Sequence, residues 1–523
     1  MIYVASRSFG LALISVLATG CVSVSPQEGH ARVKELIQSS GVAVAGFDLP
    51  QDLAVVDART DELLAAPLTA RAAIELSYLH NPHLKSEFAR LRIRQSDLVA
   101  ASRVQNPVFS ASRTDGGGSH ISIFGISQNL SSLILLSARK RFAAGDYERA
   151  QASAAASIIG LSADIEQAWL TYVGTEQIAA MRALIAVNAE ASSELAERFY
   201  VAGNINELEL ALEHSAAAQA RIAATRAAAE AVRAKFALHQ LMGLTGEPSW
   251  AAPLKLPTPI ETNDPLDALL AIAHTRRGDL AAARQEVALL DDALHLAKRW
   301  RWLGTVNVGV EHDREQDGVN LTGPTLSLAL PIFDQGQAGI ARAEGQLTDA
   351  RAQMSSLEAQ VDHDVRFNHA RVKAARAVAE LFVNYLNPAQ DIIVKRQQQR
   401  ENFMFIGQFE LLLAKQQQYD AYQSYLEAVR DYWLARSELA RATGGRLPSD
   451  AQVPPADIGV DSMIKPPDDS MGGKPGMKDM DHSAHHSHDG TPHPTDDVPQ
   501  AKPSALEEHT PPKDEPSGPG ANR

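Results

Sequence analysis

Apolar and polar residues alternate with a period of two in two short stretches of the chain's second half. Val306, Val308 and Val310 fall on one side, with Thr305, Asn307, Gly309 and Glu311 on the other. Leu326, Leu328 and Leu330 alternate in the same way with Thr325, Ser327 and Ala329. Such one-sided alternation predicts a pair of β-strands with a single apolar face. Two less regular runs, VFSASRT and HISIFGIS, predict a second pair in the first half. The segments DGGGS and REQDG, near residues 115 and 314, are the expected strand tips. A half-buried pair on a soluble core and a transmembrane barrel, apolar toward lipid, give the same pattern.

The rest of the pattern is helical and unusually long. No proline occurs from Ser131 to Glu247, from Ile332 to Asn387 or from Ala389 to Leu447. Ser131 to about Tyr200 predicts one helix of roughly 100 Å. Pro388 predicts a bend in its counterpart. Leu412, Tyr419, Leu426, Trp433 and Ala440 recur every seven residues, with Tyr422 and Val429 beside them, which predicts a coiled-coil seam. The alanine-rich run from Ala216 lets helix backbones approach closely. Helices of this length pack side by side as a tube or bundle.

The chain repeats itself at an offset near 200 residues. The stretch from Asn81 lies on the stretch from Arg277, pairing Leu84 with Leu280 and Ala101 with Ala297. Ser127 onward falls on Ala329 onward, and ALHQLMGL near Leu238 on ELARATGG near Leu439. RFYVAGNINELEL, from Arg198, falls on NFMFIGQFELLLA, from Asn402, pairing Gly203 with Gly407. Each copy predicts a helix, a strand pair, a very long helix, a Gly-marked turn and a long returning helix.

Composition narrows the class. Hydrophobic residues are 45% and charged residues 21% of the 523, with a formal net charge of -14, which argues against a nucleic-acid partner. The start has Arg7, an apolar run from Phe9 to Ala18, and small residues up to Cys21, the layout of a signal peptide. Ala18-Thr19-Gly20-Cys21 resembles a bacterial lipobox, so Cys21 is the expected lipidation site. Val22 after it points to the outer membrane by the same resemblance. No later apolar run is long enough to span a bilayer as a helix, so any crossing must be a barrel.

With LALPIFDQGQAGIARAEGQ, from Leu328, and IGQFELLLAKQQQYDAYQSYLEAVRDYWLARSELARATGG, from Ile406, the chain resembles the TolC-like outer membrane efflux proteins over about residues 65–446. The resemblance implies a mostly α fold with a transmembrane β-barrel. Long antiparallel coiled-coil helices would form an α-barrel tunnel, and four strands per chain would enter a trimeric twelve-stranded barrel. It divides the chain into a signal peptide (1–20), a lipidated linker (21–64), two efflux repeats (65–247 and 262–446) and a disordered tail (447–523). It implies a homotrimer in outer-membrane lipid, working with a periplasmic adaptor and an inner-membrane RND-type transporter. It also implies a lipid anchor, a periplasmic tunnel and a periplasmic C-terminus.

The candidate sites follow. Gly203, Asn204, Gly407 and Gln408 mark the expected periplasmic tip, where an adaptor docks, with both glycines suited to a left-handed turn. Glu207, Glu209 and Glu410 would ring the entrance in a trimer and favour cations. They serve equally as first-turn carboxylates complementing helix dipoles. Leu413 stands where the family often has an acid, which weakens a gating ring there. His214, His274, His295 and His363 are expected to be surface or packing residues.

The tail holds 14 of the 27 prolines and no Phe, Tyr or Trp. It also holds Met471, Met477, Met480, His482, His485, His486, His488 and His493, with Asp479 and Asp481 among them. Thioether selects Cu(I), and imidazole suits copper, zinc and nickel, so the mixture points to copper or silver. The alternative is a solubilising tail with chance histidines. The tail and lipobox together resemble the heavy-metal, CusC-like or CzcC-like, branch of the family. No nucleophile setting, resident cofactor motif or phosphate-binding glycine loop supports an enzyme. The expected function is the exit duct of a tripartite system exporting heavy-metal cations. Two alternatives stay open: the same duct serving drugs or type I secretion, and a non-channel periplasmic metal-buffering lipoprotein.

Overall fold

A computed structural model describes residues 27–42, 53–116, 119–262, 264–302, 304–315 and 317–464, within a compact unit that ends at Lys465. Cys21 and every Met and His of the tail cluster lie outside them. Helices α1 (Gln27–Ser39) and α2 (Leu53–Ala65) precede the first repeat. Then come α3 (Ala70–His80), α4 (Pro82–Ala101), β1 (Val108–Gly116) and β2 (Ser119–Asn129). A short α5 (Leu130–Ile134) leads into α6 (Leu136–Val201), which returns as α7 (Glu207–Leu241).

After the short β3 (Leu256–Pro257) the order recurs. It runs through α8 (Leu266–Arg276), α9 (Gly278–Arg299), β4 (Val306–Glu315), β5 (Asn320–Leu328) and α10 (Gln337–Leu381). A π-turn (Phe382–Leu386) joins α10 to α11 (Asn387–Asn402), and α12 (Gln408–Thr443) returns. A 3-10 turn (Pro448–Gln452), β6 (Ala456–Ile458) and α13 (Val460–Met463) close the described chain.

α6 is 66 residues long, about 99 Å at 1.5 Å per residue, close to the length the proline-free run predicts. Its counterpart is continuous over 337–402 but contains the π-turn. Pro388 explains the turn: it has no N–H and its ring crowds the carbonyl of Asn384, so a regular α ladder cannot pass. The long helices pack side by side. On α7, Ala217, Ala220, Ala231 and Ala234 are buried, as the alanine-rich run predicts. On α12, Tyr422, Leu426, Val429 and Trp433 are buried, but so is most of the helix from Ala421 to Thr443. The seam there widens into a core.

That core gathers the middle of both helical pairs with the chain after α7 and after α12. Tyr432 is 1% exposed, packs edge-on against Trp433 at 5.2 Å, and its hydroxyl accepts from Ile260 N at 3.2 Å. Trp433 Nε1 donates to Pro257 O at 2.7 Å, and Trp169 Nε1 to Leu68 O at 2.8 Å. The tail boundary expected at 447 is too early. Leu447 is buried, Arg436 Nη2 binds Asp450 Oδ1 at 2.6 Å, and β6 pairs with β3. These partners come from distant elements, so local composition could not reveal them. The linker expected over 21–64 likewise contains α1 and much of α2.

The two halves meet the core in the same way. Asn81 joins α3 to α4 as Arg277 joins α8 to α9, with φ/ψ of -66°/120° and -66°/114°. Asn81 Nδ2 donates to Leu241 O at 2.8 Å, and Arg277 Nη1 to Ala442 O at 3.5 Å. Left-handed Gly243 and Gly444 sit beside these joints, with φ of 76° and 81°.

Strands β1, β2, β4 and β5 form one antiparallel sheet in that order. Phe109, Ile126, Val310 and Pro324 stand in one row across it. Gln128, Val308 and Leu326 form the next row, then Val306 and Leu328. The opposite face carries Ser110, Gly125, Glu311 and Gly323. Val310, Ile126, Phe109 and Leu326 are all exposed. β1 and β5 are the outer strands, each paired on one side only among the described residues, so the sheet has two open edges.

Candidate functional site

The expected tip residues lie at the ends of two neighbouring helical hairpins. α6 ends at Val201 with Ala202 as its C-cap, and Gly203 follows with φ 75°; its N–H reaches Tyr200 O at 2.9 Å. Asn204 N donates to Phe199 O at 2.8 Å. Asn206 then caps α7: its side chain accepts from Glu209 N at 2.9 Å while Glu209 accepts from Asn206 N at 3.0 Å. This reciprocal box satisfies two otherwise orphaned donors. Glu209 therefore acts as a capping carboxylate, while Glu207 in the same first turn is exposed.

The second hairpin repeats the bonds with different residues. Met404 N donates to Glu401 O at 2.7 Å and Phe405 N to Arg400 O at 2.8 Å. The left-handed position is Met404, with φ 59°, the one non-glycine residue with positive φ among those described. Gly407 has φ -79° and ψ 161° and is the N-cap of α12. The expectation that Gly407 matches Gly203 is corrected: Gly203 corresponds to Met404, and Gly407 to Asn206. The sequence match followed the glycines, whereas the turn is defined by its backbone bonds, which the two hairpins share three residues out of that register. Gln408 and Glu410 then fall opposite Glu207 and Glu209, and both are exposed.

Phe199 and Phe409 bring the two hairpins together, edge to face at 5.8 Å. Around them an apolar surface faces solvent: Val201 is 82% exposed, Phe403 73%, Met404 92% and Phe405 75%. Sequence reasoning used Phe403–Phe405 only to align the repeats, although three large apolar residues beside a glycine turn were already a signal. Leu413 is also exposed. An exposed apolar group of this size is a mark of an interaction surface.

The body histidines are engaged in ordinary contacts. His274 Nε2 lies 2.7 Å from Asp362 Oδ1, and His363 stacks on Phe367 at 6.1 Å. His295 Nδ1 lies 2.8 Å from Asp291 O, and His214 is exposed. Among the described residues, no three His, Cys, Asp or Glu side chains are grouped to hold a metal. No helix among them is long and apolar enough to cross a membrane.

No protein-family profile matches the sequence. No curated protein matches it either. The fold does have counterparts. A membrane protein from Pseudomonas aeruginosa matches with a TM-score of 0.61 at 18% identity, over 72% of this chain and 93% of that one. CusC, whose structures concern transmembrane channel formation, matches at 0.60 and 14% identity over 72% and 92%. The Campylobacter jejuni outer membrane channel CmeC matches at 0.59 and 13% identity over 72% and 85%. The chain thus has the fold of outer-membrane channel proteins.

Proposed function

We propose that this chain is the outer-membrane exit duct of a tripartite efflux system, similar to TolC-like channels. One observation carries the proposal: a four-stranded sheet with two open edges sits on paired helical arms, in a chain whose fold matches CusC and CmeC. Open edges are untenable in hydrocarbon, where each unpaired backbone group costs several kcal/mol. Three copies would pair β5 of one with β1 of the next and close twelve strands. The helical arms support the same assembly. α7 exposes Leu208, Leu212, Ile222, Val232 and Phe236; α10 and its continuation expose Phe367, Val378, Leu381, Tyr385 and Ile392. A neighbouring copy would cover these edges.

In this reading Cys21 carries the lipid anchor, and the hairpin tips face the periplasm and receive an adaptor linked to an RND-type transporter. Glu207 and Glu410, with Glu209 as cap, would give the entrance a negative ring. The proposed cargo is a soft metal cation, copper or silver. Met471, Met477, Met480, His482, His485, His486, His488 and His493 would hold it transiently.

The test is growth of a deletion strain against copper, silver, zinc, cobalt, dyes and antibiotics, complemented by the full chain or by a chain ending at Lys465. Ending there keeps Asp450 and β6, which a cut at Pro448 would remove. Sensitivity to copper or silver alone, unrelieved by the shortened chain, supports both cargo and tail. Sensitivity to drugs with normal metal tolerance keeps the duct and overturns the metal cargo. Absence of single-channel conductance in a planar bilayer overturns the duct.

A further inference from the structure

The foot of the sheet carries a basic and aromatic collar. Residues 137–142 contain Arg139, Lys140 and Arg141 with no acid; residues 298–302 contain Lys298, Arg299 and Arg301 with no acid. This is a local inversion in a chain of net charge -14. Lys298 pairs with Glu344 at 2.7 Å, and none of the other five is in an ion pair among the described residues. Arg139 donates Nη2 to Ser132 O at 2.8 Å, but its buried Nε has no partner. Arg299 and Arg301 lie over the rings of Trp300 and Trp302, at 5.8 and 4.8 Å.

The fold draws the two stretches together at one level. Ser131 Oγ donates to Gly304 O and accepts from Val306 N, both at 2.8 Å, tying the start of the long arm to the start of β4. Directly below, the first turns of α6 and the last turns of α9 enclose a cleft of about 270 Å³. Ile134, Phe142, Leu296 and Trp300 wall it, and Arg141 and Arg299 share it with one carboxylate, Asp292. Above it the apolar face of the sheet begins, at Val306 and Leu328.

We propose that this cleft binds the phosphate of an anionic phospholipid in the leaflet facing the helices. The inference rests on the duct reading, which puts the sheet in the membrane. A phosphodiester bears one negative charge and accepts paired N–H bonds from a guanidinium, which Arg141 and Arg299 can supply. Trp300, Phe142 and Ile134 suit the glycerol and upper acyl segments, the mixture of cations and aromatic rings found at membrane interfaces. A zwitterionic lipid adds its own cation beside the two arginines and is disfavoured.

The test uses the full chain in detergent with equal amounts of phosphatidylglycerol and phosphatidylcholine, bound lipid being counted by native mass spectrometry. Wild type should retain phosphatidylglycerol preferentially. The Arg141→Gln/Arg299→Gln pair should lose about tenfold in that preference. Arg141→Lys/Arg299→Lys should keep most of it, and Arg396→Gln should leave it unchanged. No preference in wild type, an unchanged preference in the glutamine pair, or equal displacement by inorganic phosphate overturns the proposal. Conductance and gel-stable oligomers of the same sample separate the two readings. If both are present without lipid preference, this inference alone fails; if both are absent, the duct reading fails and takes this one with it.

Discussion

The backbone of Gly243 lies against that of Asn81 so closely that a Cβ at 243 would come within 2.7 Å of the asparagine's N and Cα. In the other half Gly444 stands beside Arg277, where a Cβ would meet Arg277 N at 3.2 Å. Both glycines have positive φ, so both substitutions carry backbone strain; the first also forces backbone apart, while the second asks its neighbours to give by only a few tenths of an ångström. Gly243→Ala should cost about 2–3 kcal/mol and Gly444→Ala about half that. Thermal unfolding of the two variants in parallel decides it; equal losses would contradict the argument.

The tip turns make the opposite prediction for Gly203. Its φ is also positive, yet nothing lies within 4 Å of where a Cβ would stand. Met404 shows that the equivalent turn accepts a full side chain. Gly203→Met should therefore fold and lose about 1 kcal/mol, the cost of a left-handed L-residue. Gly203→Val should lose more, because branching at Cβ makes positive φ worse. Melting curves that rank valine as the milder change would refute this.

Arg277 and Asp279 set a pH dependence. Arg277 Nη2 reaches Asp279 Oδ2 at 2.6 Å and its Nε reaches Oδ1 at 3.0 Å. Burial alone would raise the Asp279 carboxyl, but the guanidinium and the Leu280 N–H outweigh it and hold it below its ordinary 3.8. A depressed carboxyl contributes stability above its unfolded value, and that contribution fades as pH falls through the folded value. Wild type should lose stability below about pH 4 more steeply than Asp279→Asn. Parallel slopes from denaturant titrations between pH 6 and about pH 3 would remove the pair from the account.

Gln177 is a buried staple, 1% exposed. Its Nε2 donates to Leu254 O at 2.9 Å and to Ile458 O at 3.0 Å, holding β3 and β6 to α6. Gln177→Leu keeps most of the volume but leaves two carbonyls without this donor, at a cost of roughly 2–4 kcal/mol. Proteolysis should then reach the segment after Leu447 sooner than in wild type, and an unchanged cleavage pattern would argue against the staple.

On the sheet, Val310 stands directly between Ile126 and Pro324. If this face meets lipid, Val310→Arg should cost up to about 2–4 kcal/mol of membrane stability, while Glu311→Gln, one residue along on the other face, should be tolerated. Heat-stable oligomers recovered from outer membranes report the difference. Equal recovery would count against lipid on this face.

Much of this fold is written in local pattern. Alternation marks Val306–Val310 and Leu326–Leu328, and missing prolines mark α6, because both signals act within a few residues. The matches of Leu84 with Leu280 and of Leu238 with Leu439 survive because buried positions at the joints tolerate little change; all four are buried. The tip was harder. Glycine is the expected signature of a left-handed turn, yet in the second hairpin methionine holds that position. The packing of residues 447–464 depends on Arg436, in the preceding helix, and on Gln177, 281 residues from Ile458. The collar of Arg141 and Arg299 becomes visible only once α6 and α9 are laid side by side.

The π-turn at Phe382–Leu386 has a consequence for comparing the two arms. α6 and the stretch 337–402 start and end 201 residues apart, so the two arms are equally long. A π-turn advances fewer degrees per residue than an α-turn, so over its five residues the second arm falls behind by about a quarter turn. Paired by that spacing, Ile158, Ile165, Trp169 and Val173 are buried while Ala359, Arg366, Ala370 and Ala374 are exposed. The two arms thus present different faces at positions of equal spacing, and mutations paired by counting along them will probe different surroundings.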